Sequence, residues 1–154
     1  MHIVLFEPEI PANTGNVART CAVTGSTLHL VGKLGFSTDD RQLKRAGLDY
    51  WHLLDIRYHD SLEDLWSLYP DGVFHYVETE GGRWYNEVAY GPNDFLVFGK
   101  ETQGLPRHVV EAHADCVIRI PMIDHAAARS LNLSNAVAVV LFEALRQNGF
   151  PGMV

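Results

Sequence analysis

The chain has 154 residues, 47% of them hydrophobic, with two cysteines and a formal net charge of −7. That length can bury a core without disulfides or metals, and one compact domain over residues 1–154 is expected. The acidic sum gives a nucleic-acid partner no support, yet the excess is local: residues 1–59 hold six acids and six Lys/Arg, residues 95–154 five and five, and residues 60–94 eight acids against Arg83 alone. A surface built from the two ends stays open to RNA or DNA.

In chain order, HIVLF reads as a buried strand ended by the loop EPEIPANTG, and NVARTCAVTG as a helix stopped by Gly25. TLHLVG is a second strand, DRQLKRAG a basic helical turn and LLDIRYH a third strand. Ser61 followed by Asp64 is an acidic variant of the capping box before LEDLWSLYP. VFHYVET and DFLVFG are two more strands, PRHVVEAHA a helix with Pro106 in its first turn, CVIRIPM the last strand, and Leu133 to Gln147 the last helix. Strands alternating with helices predict an α/β fold with a mainly parallel sheet flanked by helices. From Ala136 to Phe142 the last helix has no polar side, so more than one face needs cover, and a second subunit is a natural source of it.

Cys21 and Cys116 each sit in an apolar run without CxxC spacing, and the eight histidines are scattered, so a reduced, cytosolic (cytoplasmic) protein with no metal is expected. MHIVLFEPEIP has no basic n-region, and the seven-residue apolar run of the last helix is too short to span a bilayer, which argues against secretion and membrane insertion.

In an open parallel sheet, ligands gather at the carboxyl ends of the strands. Three loops there are unusual: EPEIPANTGNVAR, FGKETQGLP and IPMIDHAAARSLNLSN. None carries GxGxxG, a P-loop or a GxSxG elbow. The third crowds Ser130, Asn132, Ser134 and Asn135 into the mouth of an apolar helix, where capping needs only one such residue.

N-T-G-N-V-A-R, then F-G-K-E-T-Q-G-L-P, then I-P-M with R-S-L-N-L-S-N-A-V-A-V resemble, in order, the three motifs of the SPOUT RNA methyltransferases. The likeness extends through IVLFEPEIPANTGN, R-A-G-L-D-Y-W and E-A-L-R-Q, and within the class it is to minimal tRNA wobble-nucleotide ribose 2′-O-methyltransferases that lack an appended RNA-binding domain. The resemblance implies a C-terminal deep trefoil knot, an exception to the rule that chains are unknotted. It also implies an obligate homodimer, S-adenosylmethionine (S-adenosyl-L-methionine) as methyl donor bound in the knot loops, and tRNA as substrate. Six residues, Ile123 to Ala128, separate Met122 from Arg129 where the family pattern has about four, so the donor loop is longer here.

Carried over residue by residue, the resemblance assigns Ser130 to the methionine end of the donor and Asn132 to orienting substrate or donor, leaving Ser134 or Asn135 to cap. Gly99 and Gly104 let the backbone approach the donor, and Val77 and Ile120 contact its adenosine. Arg19 acts on the ribose hydroxyl, as an orienting donor first and a base second, because a guanidinium pKa exceeds about 12. Asn13 positions Arg19 or the ribose, and Glu101 holds the second loop or Arg19. Arg41, Lys44 and Arg45, followed by Tyr50 and Trp51, supply phosphate contacts and stacking near the anticodon, against the plainer reading of a solvated basic turn and core aromatics. The alternative functions are a knotted RNA-binding dimer without catalysis, or 2′-O-methylation of another RNA. The intact Arg19, Glu101, Ser130 and Asn132 argue against loss of catalysis.

Overall fold

The computed structural model describes residues 1–37, 53–125 and 130–154. The basic turn with Arg41, Lys44 and Arg45, the aromatics Tyr50 and Trp51, and residues 126–129 of the long third loop lie outside the described residues.

Among the described residues, seven strands form one sheet: β1 (His2–Phe6), β2 (Thr27–Val31), β3 (Ile56–His59), β4 (Phe74–Val77), β5 (Arg83–Trp84), β6 (Phe95–Phe98) and β7 (Val117–Arg119), in the order β3-β2-β1-β6-β4-β7-β5. Every neighbouring pair is parallel. The two-residue β5 is absent from the sequence reading, because an exposed Arg-Trp pair has no periodicity to detect.

Alternation along the strands sorts the core. Ile3, Leu5, Leu28, Leu30, Leu96, Phe98 and Ile118 point to one face, Val4, Val31, Phe95, Val97, Tyr76 and Val117 to the other. Burial on both faces explains why the strands read as unbroken apolar runs. Helices α1 (Pro11–Thr24) and α4 (Leu133–Gln147) cover the first face and pack against each other. The shorter α2 (Leu62–Leu68) and α3 (Arg107–Ala112) cover the second through Leu62, Leu65 and Val109. The sheet is thus the middle of three layers. Along α4, Val137, Val140, Leu141, Ala144 and Leu145 are buried within the chain, while Val139 and Phe142 stay 37% and 47% exposed.

Helix ends follow local chemistry with two corrections. Gly25 ends α1 in the left-handed region at φ 64°, and the Ser61 hydroxyl accepts from Asp64 N at 3.1 Å, both as expected. However, α1 begins at Pro11, five residues before the expected Asn16: Asn13, Thr14 and Gly15 are weak helix formers that read as loop, yet here they are buried in the first turns. The cap of α4 is Asn132, rather than Ser134 or Asn135. With Leu133 as the first helical residue, Ser134 supplies the N–H to be capped, and Asn132 Oδ1 accepts it at 3.0 Å.

From the start of β1, across the middle of β2, to the end of β3, three imidazoles form a hydrogen-bonded row. His2 Nδ1 meets His29 Nε2 at 2.9 Å, and His29 Nδ1 meets His59 Nε2 at 2.9 Å. Burial, the N-terminal ammonium and Arg57 push His2 down to about 4. Burial and the two facing imidazoles push His29 down to about 3. Both cysteines are free, and burial pushes the Cys21 thiol up to about 12. No described helix is long and apolar enough to cross a membrane.

Candidate active site

Register brings the carboxyl ends of the central strands together, with Leu5 beside Phe98, Phe98 beside Val77, and Val77 beside Ile118. The loops that leave these ends are forced into contact. The loop after β6 closes on itself through a Lys100–Gly104 bridge, with Gly104 N donating to Lys100 O at 2.9 Å. A Cβ on Gly99 would lie 2.0 Å from the carbonyl carbon of Gly104, so this glycine is required by the loop's own closure. Gly104 has φ 68°, and a Cβ there would lie 2.6 Å from Glu78 Oε1. Sequence reasoning gave both glycines to close approach of a ligand; the nearer cause is close approach of the chain to itself.

That closed loop is bound to the loop after β1. Lys100 pairs with Glu7 at 2.7 Å, and Thr102 donates through N and Oγ1 to Glu9 Oε2 at 3.1 and 2.7 Å. Glu101 Oε2 accepts from Glu9 N at 2.8 Å, and its Oε1 accepts from Ile10 N at 3.2 Å and Asn13 Nδ2 at 3.0 Å. The carboxylate therefore serves the start of α1, whose own N-cap residue Ile10 has no side-chain acceptor to offer.

The row continues into the third loop. Asn13 Oδ1 accepts from Asn132 Nδ2 at 2.9 Å, and Asn132 Oδ1 accepts from Ser134 N and Oγ at 3.0 and 2.7 Å. Its direction is set at one end, because an ionised carboxylate can only accept. Asn13 must present its NH₂ to Glu101, which leaves its oxygen for Asn132, which leaves that residue's oxygen for the helix.

These loops enclose a cavity of about 550 Å³. Val77, Gly99, Gly104, Ile120 and Ser130, the five expected donor contacts, all line it, as do Asn13, Glu101 and Asn132. Arg19 does not: it lies on the exposed side of α1, in line with Asn16 and Val23. Sequence reasoning missed Glu78, which lines the cavity from the end of β4. Its Oε1 accepts from Leu105 N, and burial raises its carboxyl above the ordinary carboxylate range against the pull of the Leu105 and Thr79 N–H groups. An acid directly after a strand, at the ligand end of the sheet, was the available signal; counting it with the acidic middle third hid it.

Comparison with known proteins accords with this geometry. The model of the SpoU rRNA Methylase family matches residues 1–142. The chain belongs to that family. Among its relatives is the tRNA (cytidine(34)-2′-O)-methyltransferase of Yersinia pestis, 50% identical over 159 aligned positions that cover 99% of this chain and 96% of that one. A solved structure described as giving structural insights into the 2-OH methylation of C/U34 on tRNA is 44% identical, has a TM-score of 0.90, and is matched over 96% of this chain and 95% of its own. The AdoMet-bound rRNA methyltransferase from Sinorhizobium meliloti is 26% identical, with a TM-score of 0.82 over 94% of this chain and 55% of that one. In SpoU terms, the three ordered sequence motifs are the three loops that Glu101, Asn13 and Asn132 join.

Proposed function

We propose that the protein transfers a methyl group from S-adenosylmethionine to the ribose 2′-hydroxyl of the wobble nucleotide, cytidine or uridine, of tRNA. The observation that carries this reading is the Glu101–Asn13–Asn132 row around one cavity, in a chain 50% identical over nearly its full length to an enzyme named for that reaction.

The cavity suits such a donor. Its volume of about 550 Å³ falls in the range of roughly 300–1,000 Å³ usual for small organic ligands. Val77 and Ile120 offer apolar contact to the adenine, backbone groups of the Gly99–Gly104 loop offer hydrogen bonds, and Ser130 serves the methionine end. When bound, S-adenosylmethionine supplies a methyl group on a positively charged sulfur, open to direct displacement by the ribose oxygen.

The chain's own residues then have positioning to do. Asn132 is held on both sides of its amide, by Asn13 and by Ser134, so it meets the cavity in a fixed orientation. Arg19 donates to a phosphate and to the attacking hydroxyl. Alignment is worth about 7–11 kcal/mol, whereas base assistance is worth roughly 10²–10⁴-fold, and a guanidinium suits the first role.

The reading includes a homodimer, supported by Val23 on α1 and Val139 and Phe142 on α4, all exposed and apolar. A partner seated there places Arg19 at the subunit junction. It also includes the trefoil knot, supported by the course of the chain after β7: Ile120, Met122 and Ser130 line the same cavity as Lys100 and Gly104. The test is to incubate the protein with labelled donor and bulk tRNA, then map the modified nucleotide. Label at the 2′-oxygen of position 34 is expected; label elsewhere, or none, overturns the proposal.

A further inference from the structure

Among the described residues, two carboxylates line the cavity, and only one is fully engaged. Both oxygens of Glu101 are occupied by N–H groups of the first loop. Glu78 gives Oε1 to Leu105 N and also draws on the Thr79 N–H, and a carboxylate with about four acceptor positions retains about two after those. Its place in the wall is fixed by the sheet, since Glu78 N donates to Ile118 O at 3.0 Å and continues the β4–β7 pairing by one residue.

Room for this side chain is built in across the cavity. A Cβ on Gly104 would stand 2.6 Å from Glu78 Oε1 and 2.8 Å from Oε2, so the carboxylate occupies the space that a side chain at Gly104 would take. The fold thus combines a glycine in the left-handed region with a partly buried acid, an arrangement that simple strand termination does not call for. Val77, the chain neighbour of Glu78, lines the same cavity and is the residue that the proposed reading gives to the adenosine, whereas Ser130 is given to the methionine end.

We propose that Glu78 receives the ribose hydroxyls of the methyl donor. A vicinal diol presents two O–H donors on neighbouring carbons, and a carboxylate is the side chain that accepts both at once. The inference rests on the reading of the cavity as the donor site. Glu78 acts as a specificity-determining contact, which selects a ribonucleoside over its deoxy counterpart before any RNA is bound.

The experiment is calorimetric titration of the RNA-free protein with S-adenosylhomocysteine and with an analogue whose ribose lacks both hydroxyls. Wild type is expected to favour the ribose form by roughly ten- to hundredfold, the range for hydrogen bonds to a charged group. Glu78→Gln keeps an oxygen for Leu105 N but loses the charge and one acceptor, and the preference is expected to fall to near unity. A wild type without preference between the two ligands overturns the proposal, whatever the variant does. So does a Glu78→Gln protein that retains the full preference. Wild type that binds neither ligand overturns the donor reading itself, a result distinct from the other two.

Discussion

Glu101 and Asn13, 88 residues apart in sequence, share a hydrogen bond of 3.0 Å in which the amide donates to the carboxylate. Because the same carboxylate also accepts Glu9 N and Ile10 N, its removal strands three donors at once. Glu101→Ala is expected to destabilise the fold by about 1–3 kcal/mol and to lower methyl transfer, as Asn13 and Asn132 lose their fixed order. Urea unfolding beside a methylation assay checks this. An unchanged midpoint with full activity contradicts the positioning role.

Arg19 lies outside the cavity lining of its own chain, so donor binding and turnover are expected to separate at this residue. Arg19→Ala is expected to bind S-adenosylhomocysteine like wild type while turnover drops by about 10²-fold or more. A normally folded variant that has lost the donor reverses the assignment.

Gly99 tests the loop's closure. Since its Cβ would meet the backbone of Gly104 at 2.0 Å, Gly99→Val is expected to lower thermal stability and donor affinity together. Loss of donor affinity at undiminished stability would place the clash in the ligand instead.

Val139→Glu puts a charge on the exposed apolar face of α4 without touching the buried one. Monomers or insoluble protein are expected in sedimentation analysis. A soluble, fully active dimer removes this face from the interface.

The histidine row predicts acid sensitivity. In the unfolded chain His2 and His29 take up protons below their ordinary 6.5; in the fold they resist down to about 4 and about 3. The unfolded state therefore binds more protons in that window, so stability is complete above 6.5 and lost progressively as pH falls toward 3. Each such group contributes a slope of about 1.4 kcal/mol per pH unit where it differs fully between states. Urea midpoints measured across the window are expected to fall steeply for wild type and less so for His29→Leu; parallel profiles would clear the row of responsibility.

Much of this was legible in the sequence, for reasons that differ by element. Leu133 to Gln147 was bounded correctly because an apolar run meets a polar mouth at one end and Asn-Gly at the other. The three loops were found because distinctive residues cluster at the ends of strands. What escaped depends on partners far along the chain. The early start of α1 relies on Glu101, which no local window contains, and the choice of Asn132 as cap is fixed by Asn13. Glu78 escaped because charge counted by segment says nothing of which acid faces inward.

Strand order also dictates a timetable. β6 lies between β1 and β4, so His2–Phe95 and Leu5–Phe98 are register partners across most of the chain. During synthesis β1 and β2 can pair early, but the second edge of β1 has no neighbour until Phe98 has emerged. Such long-range pairing folds slowly, and an open apolar edge invites association with other chains. The first motif loop leaves β1 and the second leaves β6, so the cavity cannot begin to assemble until this late strand is seated.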